Sequence, residues 1–163
     1  MKDKLILTVI TFFTIGSLMS CGGGSAAEGE AQQDSTAEQP AAAAPTYPSI
    51  PADTLRMLFT ECDYIDYVFY YTNFSVSQKE KGDIQTALTY IASETPEINP
   101  NCKPVGRIFY QVEGENRAEA DLYYTEQCIY YVFLEDGQPA YANRIMPAGI
   151  NFYNKIFSSA QGH

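Results

Sequence analysis

The sequence predicts an α+β domain, a single antiparallel meander sheet with helices packed on one face. Two observations predict it. Apolar residues recur at i, i+3, i+4 and i+7 in two early stretches, Leu55, Leu58, Phe59 and Cys62 and then Ile84, Ala87, Leu88 and Ile91, which is the period of an amphipathic helix. From Val105 onward the period changes, and four strand-like runs follow one another through links short enough to make neighbours antiparallel.

In chain order, residues 52–62 form the first helix, with Pro51 near its start, where a missing N–H costs nothing. The run 64–74, YIDYVFYYTNF, reads as one strand by its aromatic and β-branched content. Within it Ile65, Tyr67, Phe69 and Tyr71 share one face, expected in the core, and Tyr64, Asp66, Val68 and Tyr70 share the other. Ser77 and Glu80 have the spacing of a capping box, and open the second helix. The stretch 94–104, ETPEINPNCKP, carries three prolines and reads as a loop. Strands then run over 105–113, 119–124, 129–135 and 139–145, joined by GENRA, TEQC and EDGQ. Asp136-Gly137 has the clearest turn chemistry, because glycine accepts positive φ. Pro147, followed by apolar Ile150, Tyr153, Ile156 and Phe157, predicts a closing helix.

Ahead of the domain, Lys2 and Lys4 precede an apolar run from Leu5 to Leu18, shorter than the roughly 20 residues of a membrane span, so residues 1–20 read as an export signal. It ends Leu18-Met19-Ser20-Cys21, which resembles the lipobox of bacterial lipoproteins. That resemblance implies cleavage before Cys21 and acylation there, which needs a thiol as nucleophile. Several acyl chains, at about 0.8 kcal/mol per buried methylene, then hold the chain on a membrane. Residue 22 is Gly and not Asp, which resembles Gram-negative lipoproteins moved on to the outer membrane, with the periplasmic or surface face left open. Residues 21–49 hold four acids and no base among Gly, Ala, Ser, Gln and Pro. Such a segment cannot bury enough surface to offset its ordering entropy, so a disordered acidic tether is expected. Residues 50–163 make the domain, whose CDYIDY, CKPVGRIFY and PAYAN segments resemble bacterial lipoprotein domains, a resemblance that implies no residue roles.

The chain carries a formal charge of −10, and residues 50–163 hold fifteen acids against eight bases. Without a basic run, nucleic acid is excluded as a partner. The one histidine, His163, stands at a frayed end, which removes the usual Ser-His and Cys-His nucleophile systems. No Ser-x-x-Lys, CxxC, glycine-rich phosphate loop or His-containing zinc pattern occurs, so the sequence calls for no cofactor and no metal.

Two constellations survive. Glu61, Asp63 and Asp66 stand beside the tyrosine strand, and Glu113, Glu115, Glu119 and Asp121 surround a hairpin. Paired carboxylates run glycoside hydrolysis at defined separations with one pKa raised, and alternating acids can cage calcium, but solvated surface acids have the same pattern. The second constellation is tyrosine: twelve of the thirteen lie in the domain, and there is no tryptophan. Tyrosine joins a large apolar body to a hydroxyl that must find water or a partner, which suits a recognition surface or the wet edge of a core. Tyr64, Asp66 and Tyr70 are the ligand-binding candidates, by ring stacking on a sugar or contact with a protein.

With Cys21 acylated, three thiols remain for an oxidising compartment, enough for one disulfide. A register that pairs Val112 with Glu119 across GENRA carries Cys102 and Cys128 to nearly opposite ends of one edge, which makes them the candidate pair. Cys62, on the apolar stripe of the first helix, is expected free; pairing through Cys62, or three free thiols, stays open. Together these features predict a lipid-anchored cell-envelope lipoprotein, a non-catalytic binding or accessory module whose partners are the membrane, through its anchor, and an envelope protein or glycan. The alternatives are a glycan-processing enzyme using paired carboxylates and a purely structural envelope component.

Overall fold

The structure, a computed structural model, describes residues 44–160. Cys21, the export signal, most of the tether and His163 lie outside the described residues. The elements run α1 (Ala52–Glu61), β1 (Tyr64–Phe69), β2 (Ser75–Gln78), α2 (Lys81–Leu88), β3 (Gly106–Val112), β4 (Glu115–Thr125), β5 (Cys128–Glu135), β6 (Gln138–Arg144) and α3 (Pro147–Ala160). One six-stranded antiparallel sheet results, in the order β2-β1-β3-β4-β5-β6, and β3 to β6 form the meander.

The helices share one face of that sheet. Leu58 and Cys62 at α1, Ile84, Ala87 and Leu88 of α2 and Tyr153 of α3 join Ile65, Tyr67 and Phe69 of β1, Ile108 and Tyr110 of β3, Ala120 and Leu122 of β4 and Tyr131 and Phe133 of β5 in one core. Strand alternation sends these odd or even positions to the same side, which is how β1 and β3 acquire their strictly alternating burial. The core is rich in phenol. Tyr67, Tyr110, Tyr131 and Tyr153 are each at most 2% exposed, with Tyr67 donating to Gln78 Oε1 at 3.0 Å and the Tyr131 and Tyr153 hydroxyls bonded to each other at 3.0 Å. Lys81, at the start of α2, donates its ammonium to the Thr60 and Cys62 carbonyls, satisfying groups that the end of α1 leaves without intrahelical partners.

Several expectations are corrected. The tyrosine strand stops at Phe69: the chain turns at 70–74, where Thr72 Oγ1 donates to the Phe74 carbonyl, so Tyr71 is 73% exposed and not in the core. The rest of that run leads into β2, which pairs with β1 through Ser77 opposite Asp66. A serine held in a strand cannot cap a helix, so no Ser77–Glu80 capping box forms; Glu80 itself is the N-cap of α2, with no side-chain bond. Phe59 is 44% exposed, and Met57 packs on the core from α1 in its place. The β3–β4 turn is Glu113-Gly114 and not GENRA, both residues taking positive φ as a two-residue hairpin requires. Val112 therefore faces Glu115 and not Glu119.

The packed chain also starts before residue 50. Pro48 accepts a hydrogen bond from Ala142 N at 2.8 Å, and Ile50 N donates to Asn143 Oδ1 at 3.0 Å, so the last tether residues lie along β6. Residues 90–94 seal the same edge, with Ile91 bridged to Ile145 and Arg144 N donating to Glu94 O. An unpaired strand edge invites another chain, and β6 is closed against that.

On the sheet face away from the helices, a second cluster gathers Ile98, Cys128, Tyr130, Val132 and Ala142, with Tyr47 and Cys102 packed against it. Cys102 and Cys128 are joined by a disulfide with α-carbons 6.5 Å apart, which holds the proline-rich loop over this half of the face, and Cys62 is the free, buried thiol. The strand register differs by four from the one expected at Gln111 and Val112 and, past the irregularity between Tyr110 and Gln111, by three, yet the pair is the same, because Cys102 sits in the loop and not in the ladder. Replacing both Cys102 and Cys128 by alanine is expected to cost about 3.5 kcal/mol, from the entropy of the loop that the bridge closes. Urea unfolding under non-reducing conditions measures it, and a loss under about 1 kcal/mol would show that Ile98 and the Arg144 contacts hold the loop alone.

Candidate functional site

The loop and Tyr47 cover the β5–β6 half of that face, and the β1, β3 and β4 half stays open. Register builds it in rows: Asp66 opposite Phe109 and Phe109 opposite Glu119, then Val68 opposite Arg107 and Arg107 opposite Asp121. Tyr70, just past β1, donates its N–H to the Val105 carbonyl at 2.9 Å and continues the same face. Tyr64 and Asp66 are half-buried by their neighbours, while Val68 is 36% and Tyr70 45% exposed. The three ligand-binding candidates thus share one surface.

A polar network crosses the three strands. Arg107 Nε donates to Asp121 Oδ1 at 2.9 Å, and the Tyr70 hydroxyl donates to that oxygen at 3.4 Å. Arg107 Nη1 lies 3.7 Å from Glu119 Oε2, Asn116 Nδ2 donates to Glu119 Oε1 at 3.1 Å, and Gln111 donates to Asn116. Each side chain fixes the rotamer of the next, so the surface keeps its polar groups in set positions. Partial burial, then the adjacent Asp121 charge, raises the Tyr70 phenol above its ordinary range. The hydrogen bond to Asp121 raises Arg107 further, so both keep their protons. At the rim, the Lys79 ammonium stands 5.4 Å from the Tyr64 ring centroid, a cation–π contact. Tyr123 stacks on Tyr130 at 4.7 Å where the open half meets the covered half.

Of the carboxylates singled out from the sequence, Asp66, Glu119 and Asp121 belong to this face. Glu61 is exposed at the end of α1, Glu113 and Glu115 are exposed at the β3–β4 turn, and Asp63 Oδ2 accepts the Glu113 N–H at 2.9 Å. Glu119 and Asp121 both lean on one guanidinium and do not flank a gap. Among the described residues, no group of three or more His, Cys, Asp or Glu side chains is placed to hold a metal ion. A recess of about 500 Å³ opens at the far end of β4 and β5, between Thr54, Arg117, Phe133, Glu135 and Tyr141, with the Tyr141 hydroxyl on Glu135 at 3.4 Å.

Arg107 escaped the sequence reading. Its signal was the alternation in GRIFYQ, where Gly106, Ile108 and Tyr110 go to the core and Arg107, Phe109 and Gln111 to the open side. Cys62 is chemically quiet: burial pushes its thiol up and keeps it protonated. No protein family, curated protein or solved structure matches the chain, so the chemistry of this face rests on its own side chains.

Proposed function

We propose that the chain is a lipid-anchored envelope lipoprotein, held through Cys21 on the outer membrane, whose domain is a binding or accessory module and not an enzyme. The observation that carries the binding role is the uncovered half-face, where aromatic rings and a fixed polar network stand side by side. A sheet needs cover on one side to make a core, and the helices supply it; an open opposite face of this composition is surface for a partner. A glycan-processing role is the weaker reading because the clustered carboxylates are tied to Arg107 and do not face each other across a cleft.

Lipoproteins isolated from intact membranes with the anchor retained test the partner. Cys21→Ala tests the anchor: membrane association is expected to fall to background, with the protein in the soluble fraction after salt and carbonate washes. A variant that still pellets with membranes defeats the anchor reading.

A further inference from the structure

The open face has a composition that selects among partners. Its charges nearly cancel, with Arg107 and Lys79 interleaved among Asp66, Glu119 and Asp121, so a strongly charged ligand meets no opposing field there. A dry protein interface is a poor fit, since interface cores are depleted of charge and burying the Arg107–Asp121 pair would remove both groups from water. An uncharged ligand carrying many hydroxyls loses nothing in this way. It can give and take hydrogen bonds with polar groups whose rotamers are already fixed, at little cost in side-chain entropy.

The apolar part of such a ligand has a place as well. Tyr70 and Tyr71 are 45% and 73% exposed, and their rings stand nearly at right angles, 85° between planes with centroids 6.5 Å apart. The two form a corner, and the Tyr70 hydroxyl ties it to Asp121. A pyranose has this dual character, an apolar C–H face rimmed by hydroxyls. We propose, resting on the binding-module reading above, that the open face is a saccharide platform, on which a neutral glycan stacks against the Tyr70–Tyr71 corner and hydrogen-bonds to Asp121 and Arg107.

The test uses the full chain in detergent and an array of neutral oligosaccharides, gluco-, manno- and N-acetylhexosamine-based, with oligogalacturonate as the anionic control. Calorimetry gives the affinity, and a change in tyrosine emission on binding is assigned to the platform by its loss in Tyr71→Ala. At least one neutral oligosaccharide is expected to bind with a Kd of about 0.1–1 mM and oligogalacturonate more than about tenfold more weakly. Tyr71→Ala, at a position too exposed to matter for folding, is expected to weaken binding by about tenfold with Tm unchanged, and Asp121→Asn to weaken it by about tenfold with the domain still folded, at a Tm lowered by the loss of the Arg107 pair. Absence of binding to every neutral sugar up to about 10 mM, or binding that neither variant changes, overturns the proposal. If sugars fail but a photo-crosslinking residue at position 71 captures one envelope protein in intact cells, and Asp121→Asn abolishes capture, the platform is a protein surface: the saccharide proposal falls and the binding-module reading stands. Failure of both arms removes both.

Discussion

Raising the pH above 10 is expected to unfold the domain in one steep step, with stability falling by roughly 5 kcal/mol per pH unit. The cause is the phenol core. Burial, foremost, holds Tyr67, Tyr110, Tyr131 and Tyr153 well above the ordinary tyrosine value of 10. Below pH 10 folded and unfolded chains both keep these protons, so the contribution is fully present. Above it the unfolded chain loses four protons that the folded chain retains, and stability falls as pH rises, until the fold gives way before the buried phenols can ionise in place. Phenolate absorbance and circular dichroism followed together check this: a cooperative rise in phenolate absorbance is expected to coincide with loss of the sheet signal. Tyr131→Phe is expected to make that step shallower by about one proton in four. A smooth phenolate titration with the fold intact would show that the core phenols reach solvent.

Asn143→Asp is the point substitution expected to cost most, about 3–5 kcal/mol. Asn143 is fully buried, and its carboxamide does three jobs: Oδ1 accepts the Ile50 N–H, while Nδ2 donates to Ser49 Oγ and, at 2.7 Å, to the Ala92 carbonyl. Aspartate keeps the acceptor, loses both donors and sets a charge against the Ala92 oxygen. Urea unfolding at neutral pH measures the loss, and recovery at low pH, where the aspartic acid is neutral and can donate, separates the charge from the shape. A cost under about 1 kcal/mol would mean that the clasp between residues 48–50, 92 and β6 is not structural.

Most of the architecture was legible because it rests on periodicity. The stripe through Leu58 and Cys62, the alternation of Ile65, Tyr67 and Phe69, and the four runs after Val105 all follow from which side of an element must be apolar. Where periodicity is silent the reading failed. Strand β2 has Val76 as its only apolar residue, so nothing marked it as a strand, and Ser77 looked like a cap because its spacing to Glu80 suits one. Glu113 adopts φ of 53°, a conformation a glutamate side chain does not advertise, whereas Asp136-Gly137 turns in the expected place. The face bearing Tyr64, Asp66 and Tyr70 could be drawn from β1 alone. Its centre could not, because Arg107 and Asp121 meet across strands whose register depends on that Glu113 turn.

The seam along β6 has a mechanical consequence. A pull that enters the described chain at residue 44 travels through Pro48 and Ile50 before it reaches α1, and there it is shared with Ala142 and Asn143 of the sheet. The load therefore bypasses the helix, which would otherwise be peeled from its end one turn at a time, and passes into a strand laced to β5 from Tyr130–Arg144 through Phe133–Tyr141. Under tension the domain would yield at this clasp first, and the open face on β1, β3 and β4, set apart from β6 by β5, would keep its geometry until the clasp had gone.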